Sequence, residues 1–159
     1  MSTKIAFTYF GREHGQQRSG NQIKQRPDGT NYVKHYDQPK SAAFKTEIKY
    51  LFINAANKQR GITWPIDGPV ELCVTVYRST PTSWSKKKKA EAAAGFILPT
   101  TKPDLKNIIW GIEDALNGLA YKDDGQVCSF GRSCKLYTDG PPRIEIEVEQ
   151  LVTTGPNDH

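Results

Sequence analysis

Residues 102–127 read KPDLKNIIWGIEDALNGLAYKDDGQV. Apolar side chains recur at Leu105, Ile108, Ile109, Ile112, Leu116 and Leu119, the spacing of a helix with one face turned toward a core. Pro103 and Asp104 predict its start, with Asp104 as N-cap, and Asn117-Gly118 predicts its end. Asp123 and Asp124 follow in a short turn, and Gln126-Val127 opens a strand-like run. A strand packed beside the helix start would return these carboxylates to Asp104. Such a cluster suits a hard divalent cation, because Mg²⁺ takes oxygen ligands and is held by one or two carboxylates. That chemistry belongs to phosphodiester substrates.

Each of these acids also has a plain structural reading. Asp is a favoured N-cap, and Lys-Asp-Asp-Gly is turn chemistry. Adjacent carboxylates repel, however, and a bound cation would relieve that cost. On the helix, Lys106, Trp110, Glu113 and Asn117 share the face opposite the apolar stripe. Trp110 therefore lies outside the domain's own core and calls for a partner: stacked DNA, another subunit, or the stem of Lys106. Glu113 is about 13 Å along the axis from Asp104 at 1.5 Å per residue, too far to share one metal with it directly.

The remaining chain reads as alternating strands and amphipathic helices. Ile5 to Phe10 is a strand, and Tyr32 to Tyr36 is expected to return beside it as a long hairpin. Between them, about residues 11–30 form a basic, mobile loop rich in Gly, Gln, Arg and Asn. Lys40 to Lys58 carries Phe44, Ile48, Leu51, Phe52 and Ala55 at helical spacing. Pro69 to Arg78 alternates, with Val70, Leu72, Val74 and Val76 on one face. A Pro-containing turn leads to a short Lys/Ala helix capped by Ser83 or Ser85. Gly125 to Tyr137 is a strand or hairpin arm, and Ile144, Ile146 and Val148 alternate with glutamates in a last strand. About residues 153–159 are expected to form a frayed tail. The pattern predicts one α+β two-layer domain spanning 1–159, with helices packed on a mixed or antiparallel sheet.

Composition narrows the partners. The 159 residues are 36% hydrophobic with mean hydropathy −0.63, and no run approaches the roughly 18 apolar residues of a membrane span. The N-terminal MSTKIAFTYF lacks a charged-then-apolar leader layout, so a cytoplasmic protein is expected. Cys73, Cys128 and Cys134 have no CxxC spacing and fit a reducing compartment. His14, His35 and His159 make no metal or triad pattern. Net charge is +5 and the pI about 9.1. Positive charge concentrates in Arg12, Arg18, Lys24, Arg26 and Lys34, and in the run Lys86, Lys87, Lys88, Lys89. A lysine run is either a solvated helix face or a grip on a polyanion; two basic segments beside a candidate metal site favour DNA.

The motifs in order resemble the RusA family of Holliday junction resolvases, metal-dependent endonucleases of bacteria, phages and prophages. The likeness rests on Pro103-Asp104-Leu105-Lys106-Asn107, Asp114-Ala115-Leu116 and Asp123-Asp124-Gly125-Gln126-Val127. Pro81-Thr82-Ser83-Trp84-Ser85-Lys86-Lys87-Lys88 upstream adds to it, as does the last strand. The resemblance implies a RusA-like fold, Mg²⁺ as cofactor and a homodimer matched to the two-fold symmetry of a four-way junction. It implies a role in DNA recombination and repair, with Asp104 and Asp124 as catalytic metal ligands and Asp123 beside them. The metal would lower the pKa of a bound water and stabilise charge on the phosphate. Lys86 to Lys89, Lys102, Arg12 and Arg18 would hold phosphates, and Trp110 would face the DNA.

Two positions depart from the family pattern. Lys106 stands where the family has its second aspartate, and Trp110 where it has a catalytic lysine. Lys106 either takes the cation's place beside the carboxylates or, as in the Asp-x-Lys triplets of other nuclease folds, polarises the scissile phosphate as a catalytic residue. The resemblance thus implies a junction-cleaving enzyme or a catalytically impaired junction binder on the same fold.

Overall fold

Alternating apolar side chains build the central sheet. The computed structural model describes residues 3–12, 20–36 and 39–152. In order these form β1 (Lys4–Phe10), β2 (Gly20–Gln25), β3 (Asn31–Tyr36), α1 (Pro39–Asn57), β4 (Val70–Ser79), α2 (Lys86–Ala93) and α3 (Leu105–Leu116). A single 3-10 turn at Asp124–Gln126 then leads to β5 (Val127–Ser129), β6 (Cys134–Thr138) and β7 (Arg143–Gln150). The main sheet runs β1-β7-β4-β5, with β6 continuing along β4 beyond β5. β1, β7 and β4 pair antiparallel, whereas β5 and β6 both run parallel to β4. It is an α+β fold on a mixed sheet, as the alternation predicts.

Register places the apolar residues in rows. Ile5, Val148 and Leu72 lie side by side across the sheet, then Phe7, Ile146 and Val74, then Tyr9, Ile144 and Val76. All but Phe7 are buried, and Phe7 packs against them at the margin. Phe44, Ile48 and Phe52 of α1 and Ile108, Ile112, Ala115 and Leu116 of α3 close the same core. A buried cation also joins these helices: Lys45 Nζ donates to Asp114 Oδ2 at 2.5 Å, with the Lys45 side chain only 8% exposed. The other face of the sheet carries Glu71, Glu145, Glu147 and Glu149, half-buried and acidic.

Three expectations change. β1 pairs along its whole length with β7, and the expected hairpin with Tyr32 to Tyr36 does not form. β7 offers apolar residues in phase with Ile5, Phe7 and Tyr9, so long-range burial wins over sequence proximity. Part of the expected basic loop is strand: β2 pairs with β3 in a separate two-stranded sheet. Its turn is held by Asp28, whose carboxylate accepts from Thr30 N at 2.9 Å and Thr30 Oγ1 at 2.6 Å. The run Gly125 to Tyr137 is no hairpin, because β5 and β6 pair with β4 and lie end to end along it. Residues 13–19 of the expected loop, with His14 and Arg18, and the expected tail at 153–159 lie outside the described residues. No helix among the described residues is long and apolar enough to cross a membrane.

Ile146 is fully buried in the middle row, between Phe7 and Val74. Ile146→Ala is expected to lose about 2–5 kcal/mol of stability through lost burial and residual cavity. Chemical denaturation should show a lower midpoint at unchanged slope; a midpoint within error of the parent would place the core elsewhere.

Candidate nucleic-acid interface

The parallel edge of β4 decides where the candidate residues lie. Parallel strands need a crossover. The chain leaves β4 at Ser79 and returns to its beginning, since Val127 pairs with Val70. α2 and α3 make that crossing. The entry to α3 therefore sits at the far end of β4. There Arg78 Nη1 donates to Thr101 O at 3.0 Å and Thr101 Oγ1 at 2.9 Å, and Nη2 to Pro103 O at 3.3 Å. From β6, Lys135 Nζ donates to the same two carbonyls at 2.9 and 3.3 Å. The chain after α3 is fastened to the segment before β4, where Gln126 Nε2 donates to Ile66 O at 3.0 Å and Gly68 O at 2.8 Å.

Asp104 stands at the N-cap position with extended backbone, φ −68° and ψ 144°, yet its carboxylate makes no capping bond. It accepts instead from Lys102 Nζ at 3.0 Å. Lys102 holds the carboxyl below its ordinary range, and the charges of Lys106 and Lys135 push the same way. Of the two roles open to Lys106, contact with this carboxylate falls instead to Lys102, and Lys106 acts on it from farther off.

Asp123 and Asp124 differ from each other. Asp123 Oδ2 accepts from Gly125 N at 3.1 Å, and Gln126 Oε1 accepts in return from Asp123 N at 3.0 Å. That is a capping box, so Asp123 is engaged in turn structure. Asp124 is exposed, and its charge acts on Glu113 and Tyr121. Glu113 is half-buried, and burial with the charges of Asp124 and Asp114 pushes its carboxyl above the usual range. The Tyr121 hydroxyl donates to Glu113 O at 2.6 Å, and burial drives its pKa far up.

Asp104 and the pair Asp123 and Asp124 thus have separate surroundings. Lysines surround the first, and Glu113 is the electrostatic neighbour of Asp124. Among the described residues, no three His, Cys, Asp or Glu side chains come together as a metal-holding group. Lys102 engages one oxygen of the Asp104 carboxylate, Oδ2, and a divalent cation held there would compete with that exposed ion pair.

Cations converge here more than acids do. Arg12 lines a small cavity of about 280 Å³ with Arg78, Ser79 and Pro142. Lys86, Lys87 and Lys88 are exposed and Lys89 half-buried on α2, whose first turn has no acidic residue. Four lysines at a helix N-terminus oppose the helix dipole, a cost that a bound phosphate would offset. Ser85 is the N-cap, accepting from Lys88 N at 3.2 Å. Lys88 Nζ sits 4.2 Å from the centre of the Trp84 ring, which meets Tyr137 edge-on at 5.2 Å. Trp110 is 59% exposed, as its helix phase predicts. It lines a groove of about 480 Å³ with Lys106, Asn107, Ile109, Glu113 and Phe130. Arg78, Lys135 and Phe130 escaped the sequence reading, because only the pairing of β4 with β5 and β6 carries them to α3.

Lys102, Lys106 and Lys135 thus gather around Asp104 at the start of α3, and Arg78 lies beside them. Residues 20–149 match the family model Endodeoxyribonuclease RusA. The chain belongs to the RusA endodeoxyribonuclease family. It is 39% identical over 149 residues to the uncharacterized protein YqaN of Bacillus subtilis (strain 168), covering 92% of this chain and 96% of that one.

Because its pKa is lowered in the fold, Asp104 contributes stability above its unfolded pKa and loses it as pH falls through the folded value. Carboxyl NMR should find Asp104 ionised to lower pH than an ordinary aspartate, and Lys102→Ala should move that titration upward. A titration unmoved by Lys102→Ala would show that the ion pair is not formed in solution.

Proposed function

We propose that this protein binds branched DNA, holding a four-way junction chiefly by its phosphates, and that its Mg²⁺-dependent cleavage of the junction is slow or absent. The observation that carries the proposal is the lysine setting of Asp104: Lys102 in contact, Lys106 and Lys135 close enough to act on its charge. Where the family resemblance expects carboxylates to gather a metal, this chain presents ammonium groups that suit a phosphate. Lys102 and Lys106 beside α3, Lys86 to Lys89 on α2, and Arg12 beside Arg78 are assigned to successive phosphates. Arg18 is assigned to the same role from the N-terminal basic segment. Such contacts position a duplex arm without reading its sequence. A homodimer of the chain would present the surface twice, matching the two-fold symmetry of a junction.

The family match favours a second reading, in which the protein is a working endodeoxyribonuclease of DNA recombination or repair. In that reading Asp104 and Asp124, with Asp123, are the acids on which cleavage depends, and Lys106 is a catalytic residue at the scissile phosphate. Asp104→Asn and Asp124→Asn would then abolish nicking while leaving junction binding intact.

Titration of a labelled four-way junction across a salt series tests the proposal. Binding should exceed that of a matched duplex and fall steeply with salt as condensed counterions are released. Replacing Lys86, Lys87, Lys88 and Lys89 with Ala should weaken binding and flatten the log–log slope by about one unit per lost phosphate contact. Equal affinity for junction and duplex would sink the branched-DNA reading, and an unchanged slope would reduce the lysine run to a solvated face.

A further inference from the structure

Trp110 and Phe130 reach one groove from different parts of the chain. Trp110 stands on the polar face of α3, and Phe130 lies in the connection between β5 and β6. They are 59% and 44% exposed, and neither ring packs on another aromatic among the described residues. Ile109, only 7% exposed, contributes an apolar wall, while Lys106, Asn107 and Glu113 supply polar atoms.

Phe130 is held in place. Ser133 N donates to Phe130 O at 3.1 Å, and the Ser133 hydroxyl donates to the same carbonyl. That hydroxyl oxygen also accepts from Val74 N at 2.9 Å, so the turn is tied to the middle of β4. Gly131 has φ +54°, a left-handed conformation that lets the chain turn here. An aromatic ring on a fastened turn loses little freedom when a ligand stacks on it.

We infer that this groove is a binding site for one unpaired nucleobase, stacked between Trp110 and Phe130, with Lys106 on the adjoining phosphate. The inference rests on the reading of the protein as a DNA binder and adds a base-stacking subsite to its phosphate contacts. Every base has an apolar face that suits an indole, and stacking tolerates any sequence. The amide of Asn107 offers both a donor and an acceptor to a base edge. A protein partner fits less well, since interface cores are depleted of charge and this groove holds Lys106 and Glu113. In a four-way junction the base would come from a pair opened at the crossover, at the cost of unpairing and unstacking it.

The test uses the full chain with two probes carrying 5-iodouracil: a single-stranded oligonucleotide, and a four-way junction substituted at the crossover. After irradiation, mass spectrometry should map adducts of both probes to Trp110 or Phe130, and a matched duplex should give none there. Trp110→Ala should lower affinity for the single strand by roughly 5- to 100-fold, whereas Trp110→Phe should keep most of it. Adducts from the single strand without any junction binding would uphold the base site and overturn the junction reading. Junction binding without adducts at either ring would overturn the base site alone. A Trp110→Ala variant that binds DNA normally but shifts oligomeric state in sedimentation would make the groove a contact between copies, and the inference would fail.

Discussion

The structure depends on β4 being paired on both edges, antiparallel to β7 and parallel to β5 and β6. The antiparallel edge aligns the apolar rows that bury α1 and α3. The parallel edge forces the chain across the sheet and so sets the ends of α3 at opposite ends of β4. Arg78 and Lys135 then grip the backbone just before α3, and Gln126 grips the segment before β4. With both ends fixed in this way, the charge around each acid follows from topology. Asp104 lies among lysines, whereas Asp124 lies beside Glu113, about 13 Å along α3 from Asp104 at 1.5 Å per residue.

Two electrostatic faces result. The open side of the sheet carries Glu71, Glu145, Glu147 and Glu149, of which Glu147 pairs with Lys4 and Glu145 with Arg143. The turns and helix starts around α2 and α3 carry the cations. Arg12, Lys86 to Lys89, Lys102 and Lys106 are surface groups, and ion pairs made by such groups add little to the stability of the fold. Lys45 is the exception, buried against Asp114 where it joins α1 to α3. The Asp-Ala-Leu run thereby gains a structural role alongside its place in the family pattern.

Much of the fold was legible because it rests on local periodicity. The stripe from Leu105 to Leu116, the alternation from Val70 to Val76, and the cap at Ser85 each appear where the sequence places them. Partners were less legible. Nothing local tells Ile5 to Phe10 that its neighbour is β7, or shows that residues 127–138 will run parallel to β4. The same limit governs the site. Asp104 and Trp110 could be read from helix phase, including the exposure of Trp110. The carbonyl grip of Arg78 and Lys135 and the placement of Phe130 come from contacts across more than twenty residues, whereas the Lys102 contact joins residues only two apart. Asp123 shows the converse, since its turn chemistry was readable and the capping box is what formed.

Lysines govern the charge at the start of α3, and one of them, Lys106, stands where the family pattern has a carboxylate. An inhibitory Lys106 is tested most directly by the rate of Mg²⁺-dependent nicking of a four-way junction, measured for the unaltered protein and for Lys106→Asp. Slow or absent nicking in the parent, rising in the variant as one positive charge is replaced by an oxygen ligand, is the predicted result. Robust nicking by the parent that Lys106→Asp diminishes would contradict an inhibitory lysine and make Lys106 part of the catalytic machinery.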